Sequence, residues 1–303
     1  MLDLNRLYLL HELSILGTIS RVAEARRLTR PAVSHQLLQL ENEFGAVLFE
    51  RSGRGVRLTA TGRRLVSLSK SLFDVAESIE SEMEASSGKI AGEVRIASFG
   101  SAAGSLIPTA VRELAVRHPR VDVHFSELEC QDAMQAAAAK QVDLAVVYEL
   151  GPQQYRVQGS LQLLPLGVDT FAVLVGARHR LARYRSVSLA DLKDERWDVN
   201  VASTAYYQLL LDACLKVGFR PQIRSSCRNP AASYRLIAET NMVGVFPSLG
   251  LEDARKDPSL VIIPLVPALT RKMYIATVRE SSRRPLIAAV IEVLKESMRV
   301  PAG

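Results

Sequence analysis

Arg30, Ser34, His35 and Gln36 lie within the segment RLTRPAVSHQLLQLENEFG, residues 27–45. At 3.6 residues per turn they fall on the face opposite Val33, Leu37 and Leu40, so a helix here buries one stripe and offers a polar one. Pro31 belongs in the first turn, where backbone amides lack an intrahelical acceptor. A guanidinium can pair with O6 and N7 of guanine, whereas hydroxyl and imidazole groups read bases more permissively. The polar face is therefore suited to base edges in a major groove, with Arg30, Pro31, Ser34 and His35 as its candidates.

A second basic group follows in AVLFERSGRGVRLTATG. Ser-Gly-Arg-Gly between LFER and VRLT reads as a hairpin turn, a wing that brings Arg51, Arg54 and Arg57 toward phosphates or a minor groove.

Other chemistry finds little support. His11, His35, His118, His124 and His179 are isolated and show no metal-ligand spacing, and neither a G-x-S-x-G elbow nor an H-E-x-x-H helix occurs. His118 and His179 read as surface loop residues. Cys130, Cys214 and Cys227 are too few and too scattered for a disulfide framework or a zinc site, and they fit a reducing compartment. No cofactor and no metal are expected, and the chain reads as other than an enzyme. Gly100 and Gly104 in FGSAAGS sketch a phosphate loop, but no Lys-Ser/Thr follows.

The elements that position these groups start from charge. Residues 1–70 hold eleven Arg and Lys against six Asp and Glu, and the formal charge of the 303-residue chain is +6, so almost all the excess is amino-terminal. A basic head on a neutral body is the charge pattern of a polyanion-binding module joined to something else. LNRLYLLHELSIL (residues 4–16) has helical spacing and stops at Gly17. TISRVAEARRL offers Thr18 or Ser20 as a cap, with Val22, Ala23 and Leu28 inward. Thr29 caps the next helix, which runs to about Phe44 before Gly45. Two short helices joined by a tight turn form a helix-turn-helix whose second helix presents the polar face above.

At this point AEARRLTRPAVSHQLLQLENEFGAVLFERSGRGVRLTATG, residues 23–62, resembles the LysR-type transcriptional regulators in spacing, proline, LFER and LT-x-x-G, and the likeness extends along the whole chain. Family members usually carry Gln where Arg30 stands and Arg where His35 stands. Both departures fall on the base-reading face, so a relative's DNA preference does not transfer.

Leu65, Leu68, Leu72, Val75 and Ile79 follow 3, 4, 3, 4 spacing, the seam of a coiled coil. The resemblance implies a linker helix that pairs antiparallel with its twin, giving a homodimer or a homotetramer of two dimers. Ser86, Ser87 and Gly88 mark a joint. From about residue 91 strands and helices alternate: GEVRIAS, VDVHFSE, VDLAVVY, LQLLPL, TFAVLVG, WDVNVAS, PQIRSSC, MVGVFP, LVIIPL and KMYIATV, with helices between and after them. Mostly parallel sheets in two similar lobes follow, exchanging a strand pair near residues 161–168 and 265–272. The fold class is α/β: a winged helix-turn-helix at 1–60, a dimerisation helix at 61–90, and at 91–303 a two-lobed effector-binding domain of periplasmic-binding-protein type. Lobe 1 takes 91–164 and 268–303, and lobe 2 takes 165–267.

In such sheets ligands sit beyond the carboxyl ends of the strands. The resemblance places a small-molecule effector between the lobes against those loops. Ser98, Gly100, Ser101, Glu129, Ser203, Thr204, Asn229 and Phe246 are its candidates, although Ser98, Ser203 and Thr204 read equally as helix caps. A small carboxylate suits hydroxyls and helix N-termini, and Phe246 with Tyr206 suits an aromatic acid. The implied partners are double-stranded DNA, an effector and further copies of the chain, with RNA polymerase left open. Nothing reaches the roughly 20 apolar residues of a membrane span, and no signal peptide is read, so a cytoplasmic location is expected. Alternatives are a redox sensor using Cys214 and Cys227, a tethered enzyme or solute carrier, and DNA binding without any ligand.

Overall fold

The computed structural model describes residues 2–52, 55–86, 90–149, 161–199 and 204–299. The head begins with α1 (Leu4–Leu16), capped by the Asp3 carboxylate and closed by Gly17 at φ 73°. Next is α2 (Ile19–Arg26), whose cap is Thr18. Arg27 adopts a left-handed φ of 52°, and the Leu28 amide bonds back to the Ala23 carbonyl at 2.9 Å. This Schellman-type reversal swings Leu28 outward to 46% exposure, so it does not face the core as the helical pattern predicts. α3 (Arg30–Phe44) starts from Thr29 with Pro31 in its first turn and ends at Gly45. Leu7, Leu10, Leu13, Val22, Val33 and Leu37 form a core shared by the three helices.

The wing pairs β1 (Phe49–Ser52) antiparallel with β2 (Gly55–Leu58). Its base is held by Glu41 of α3, whose carboxylate accepts from the Leu48 and Phe49 amides at 2.7 and 3.3 Å. α4 (Ala60–Ser86) follows at once. The Thr59 hydroxyl accepts from the Gly62 amide at 3.0 Å and donates to the Val47 carbonyl at 2.8 Å. A Cβ on Gly62 would lie 2.0 Å from the Leu48 carbonyl oxygen, so only glycine lets the helix seat against the wing. That contact is the physical content of the LT-x-x-G motif. The joint residues Ser87 and Gly88 lie outside the described residues.

The body alternates β3 (Gly92–Ser98), α5 (Gly100–Ala103), α6 (Leu106–Arg117), β4 (Val121–Glu127), α7 (Cys130–Ala138) and β5 (Leu144–Glu149). Then come β6 (Leu161–Gly176), β7 (Arg196–Asp198), α8 (Thr204–Lys216), β8 (Gln222–Ser225), α9 (Pro230–Glu239) and β9 (Met242–Pro247). α10 (Glu252–Lys256), β10 (Leu260–Pro264), β11 (Thr270–Val278) and α11 (Pro285–Arg299) complete it. One sheet runs β4-β3-β5-β11-β6-β9-β7-β8, with β10 also on β6.

LQLLPL and TFAVLVG are thus one 16-residue strand rather than two. Pro165, which has no amide to donate, faces Tyr274 where the β6–β11 register shifts, so the ladder absorbs it as a bulge and continues. The sheet is mixed: β3, β4 and β5 run parallel, as do β7, β8 and β9, but β6 and β11 lie antiparallel to their neighbours. The amino-terminal half of β6 pairs with β11 and joins a core with Val146, Ile275 and Val290. Its carboxyl-terminal half pairs with β9 and β10 and joins cores around Trp197 and Leu174. β6 changes partners at 170–172, from β11 to β9 and β10, which is where two lobes meet; β11 pairs only with β5 and β6, and residues 265–269 lie between β10 and β11, so the second crossing segment is a connection rather than a strand.

The Gly62 contact yields a test with an unusual sign. An ordinary exposed helical Gly→Ala change gains up to about 1 kcal/mol. Gly62→Ala should instead lose about 3 kcal/mol from head stability in urea unfolding, because the new methyl overlaps backbone.

Candidate functional site

The head carries a cationic and polar end. Arg30, Pro31 and His35 are exposed and Ser34 is half-buried, all within the first two turns of α3. Gln36 turns away from them: its side-chain oxygen accepts from Arg6 Nε at 2.9 Å, tying α3 to α1. Arg57 on β2 is 74% exposed and only loosely paired with Glu50 at 3.9 Å. Arg51 enters as a backbone position of β1, and Arg54 lies outside the described residues. The recognition-type helix and the wing therefore belong to one rigid unit, with Arg30 and Arg57 both open to solvent.

Along α4 the apolar stripe divides by depth. Leu65 packs partly on the head core and Phe73 is buried against Tyr8, their rings stacked at 3.9 Å. Leu68, Leu72, Val75, Ile79 and Met83 remain 43–68% exposed. Five large apolar side chains at helical spacing on one helix form a surface that water covers poorly.

Where the two lobes meet, the centre is a residue that no sequence motif marks. Arg271, at the start of β11, is 4% exposed, and it is ion-paired with Asp169 of β6, itself 3% exposed. Nε and Nη2 both reach Asp169 Oδ2, at 3.0 and 2.7 Å. Nη2 also donates to Ser101 Oγ at 2.7 Å. The guanidinium carbon sits 4.7 Å from the ring centres of Phe99 and Tyr148, and 5.9 Å from that of Phe171. Lobe 2 answers from the other side. The Leu249 amide donates to Asp169 Oδ1 at 3.3 Å, and the Thr170 and Ser248 hydroxyls lie 3.1 Å apart. Tyr206, in the first turn of α8, stacks on Phe171 at 5.9 Å and donates its hydroxyl to the Val245 carbonyl, and burial raises its pKa.

Of the cleft candidates, Ser101 is brought to this centre through Arg271. Gly100 opens α5 beside Glu127, whose oxygen would stand 3.0 Å from a Cβ placed there. Ser98 is wholly buried under the cleft floor, its hydroxyl spent on the Phe99 carbonyl at 3.4 Å, and Phe99 rather than Ser98 occupies the α5 cap position. Glu129 is exposed and heads α7 without a side-chain cap bond. Asn229 is an exposed helix cap, accepting from the Ala231 amide at 3.0 Å. Phe246 turns to α9, edge-on to Tyr234 at 5.5 Å, because β9 alternation directs it to that layer rather than to the crossing strands. Ser203 lies outside the described residues, and Thr204 enters only as the first position of α8.

His179 is no surface residue. It is 7% exposed and caps the short 3-10 turn Arg180–Arg183, accepting from the Leu181 amide at 3.2 Å with Glu195 3.3 Å from its other nitrogen. Among the described residues no group of three or more His, Cys, Asp or Glu side chains is placed to hold a metal ion, and no described helix is long and apolar enough to cross a membrane.

The pattern describing the bacterial regulatory helix-turn-helix protein, lysR family, matches residues 4–63, and that of the LysR substrate binding domain matches residues 87–299. The chain belongs to the LysR family of transcriptional regulators. Among its relatives, the uncharacterized HTH-type transcriptional regulator YfeR of Shigella flexneri is 24% identical over 295 residues, covering 95% of this chain and 94% of that one. A full-length OxyR variant from Pseudomonas aeruginosa superposes with a TM-score of 0.72 at 22% identity over 99% of this chain and 95% of that one. CbnR in complex with its target DNA superposes at 0.57 with 17% identity, over 98% and 100% of the two chains. At these identities the solved structures share the fold of this LysR-family regulator.

The cysteines of this LysR-family chain are unlike a reactive pair. Cys214 is wholly buried in α8, and burial pushes its thiol up to about 11. Cys227 is half-buried, with Ser225 Oγ 3.5 Å from its sulfur. At pH 8 iodoacetamide should leave Cys214 unlabelled in the native protein, and mass spectrometry should find it modified only after unfolding.

Proposed function

We propose that this LysR-type transcriptional regulator reads operator DNA through the exposed end of α3, and that a small molecule held between its lobes modulates that reading. The observation that carries the first half is Arg30, Pro31, Ser34 and His35 standing at one end of α3, in the same packed head as the exposed Arg57 of the wing and on the basic part of the chain. Base edges are read from the helix, and phosphates are met by Arg51, Arg54 and Arg57. The protein works as a homo-oligomer, because the exposed stripe Leu68, Leu72, Val75, Ile79 and Met83 needs a cover and an antiparallel twin supplies one of equal length. Two heads then face two half-sites.

In the body, Ser101, Arg271, Asp169 and Leu249 link both lobes at the strand crossing, so a ligand that alters those contacts alters the lobe angle. Effect on DNA follows by population shift, with bound effector changing how protomers pack and hence the spacing of heads. The protein acts by binding rather than by turnover, in the cytoplasm where its DNA is.

The deciding experiment is a footprint on DNA upstream of the protein's own gene, at physiological salt with random competitor, where two protected half-sites on one duplex face are expected. Arg57→Ala should flatten the slope of log affinity against log salt by about one while leaving base preference intact. Arg30→Ala should relax preference at particular base positions, and equal loss on all sequences overturns its assignment. Val75→Glu should shift sedimentation to monomer and abolish two-site protection while a single head still binds weakly, because charge in the seam has no partner there.

A further inference from the structure

We infer that Ala139 and Lys140, at the end of α7 in lobe 1, are positioning residues for the DNA-reading head, and that by holding it against the body they set which spacing of half-sites the protein prefers. The part about spacing rests on the reading of the protein as a homo-oligomer with two heads on two half-sites. Ala139 is 1% exposed, and the head covers it: among the described residues it is the one from beyond α4 that joins the buried core of Leu7, Leu10, Val22 and Leu37. Beside it, Lys140 Nζ stands 5.5 Å from the centre of the Tyr8 ring, within the range of a cation–π contact. On the head's side that ring is fixed, stacked on Phe73 of α4 at 3.9 Å, with the Arg26 guanidinium carbon 5.6 Å from its centre. Ile15 of α1 packs against the head core and the lobe 1 core alike.

The backbone of Lys140 points to a role for its side chain. The Lys140 amide bonds to the Ala137 carbonyl at 3.1 Å and the Gln141 amide to the Ala136 carbonyl at 2.8 Å, a Schellman closure of α7 that puts residue 140 at φ 55°. Glycine adopts that conformation freely, whereas a side chain there crowds the backbone. Local stability alone would favour glycine, so what the lysine adds lies beyond the helix, and its side chain reaches the head.

The contact holds the head without fusing it to the body. One alanine enters the head core, and next to it lies a gap of about 140 Å³ lined by Tyr8 of the head and by Arg95, Lys140, Asp143 and Arg284 of the body. An interface this polar between units of one chain is separable. Docking leaves Arg30, Pro31 and His35 exposed, so it orients the reading face rather than covering it. Two heads docked in this way meet DNA at a fixed distance, whereas two released heads tolerate a range.

The test uses the full-length protein and two readouts. In the first, Ala139→Cys places a thiol at the contact, and peptide mapping follows its alkylation by iodoacetamide separately from Cys130, Cys214 and Cys227. That thiol should be protected in the otherwise unchanged chain, and should react about threefold faster when Lys140→Gly is added, the scale of one partly exposed cation–π contact. In the second, pairs of half-sites of varied spacing are selected from a random DNA pool. Wild type should favour one spacing, and Lys140→Gly should cut its preference over neighbouring spacings by a similar factor while affinity for a single half-site is unchanged. Lys140→Arg keeps a cation over the ring and should match wild type in both readouts. A role confined to α7 gives the opposite pattern: glycine relieves the backbone at 140, so the variant melts no lower and neither readout moves.

A thiol at 139 that is alkylated as fast as in the unfolded chain overturns the inference, as does a thiol rate or a spacing preference that Lys140→Gly leaves unmoved. If the pool yields single half-sites only, while the thiol is protected and released as expected, the two-head reading falls and takes the spacing role with it, and the docking of the head on lobe 1 stands.

Discussion

Everything in the body of this protein hangs on one strand, β6, that belongs to both lobes at once, and on β11, which pairs with its first half. β6 and β11 pair from Thr170 and Thr270 to Leu161 and Val278 on one side of the crossing. Beyond it, β6 continues with β9 and β10. The two lobes are thus joined through one continuous strand. Burying Asp169 and Arg271 at the crossing carries a desolvation penalty that their mutual bonds, the Ser101 hydroxyl, the Leu249 amide and the aromatic ring faces must offset. Removing either partner alone would strand a charge in a dry site, which makes this pair the point where lobe geometry is most sensitive to chemistry.

The head is largely legible in the sequence because its determinants are local. Asp3, Thr18 and Thr29 cap helices within three residues of themselves, and Gly17 and Gly45 stop them through a conformation glycine adopts without strain. The wing follows from its turn residues. Leu28 escapes the pattern because helical periodicity, carried one residue past the Arg27 reversal, no longer describes the chain.

The cleft is less legible, for a reason of distance along the chain. Asp169 and Arg271 are 102 residues apart, and no local pattern reports that they meet. One signal is present: each is a charge at the edge of an otherwise apolar strand run, in GVDTFAVLVG and TRKMYIATV. Charges that strands bury are nearly always paired, so two unexplained ones of opposite sign are candidates for each other. Serines and Asn229 draw attention by standing at strand and helix ends, yet Asn229 serves as an ordinary cap and Ser98 is consumed by its neighbour. Phe246 stands next to the right loop on the wrong face, a distinction that strand alternation alone does not assign without knowing which layer lies on which side.

Gly62 leaves α4 with no slack at its origin: the helix rests on the Leu48 carbonyl and is pinned by Thr59. Head and linker therefore turn as one solid piece, and 27 helical residues at 1.5 Å each make an arm of about 40 Å. The head also rests on the body: Ala139 at the end of α7 joins the head core, and Lys140 Nζ stands 5.5 Å from the centre of the Tyr8 ring. Missing atoms on one glycine thereby fix the angle at which wing and linker meet, and through it where the head comes to rest on the body.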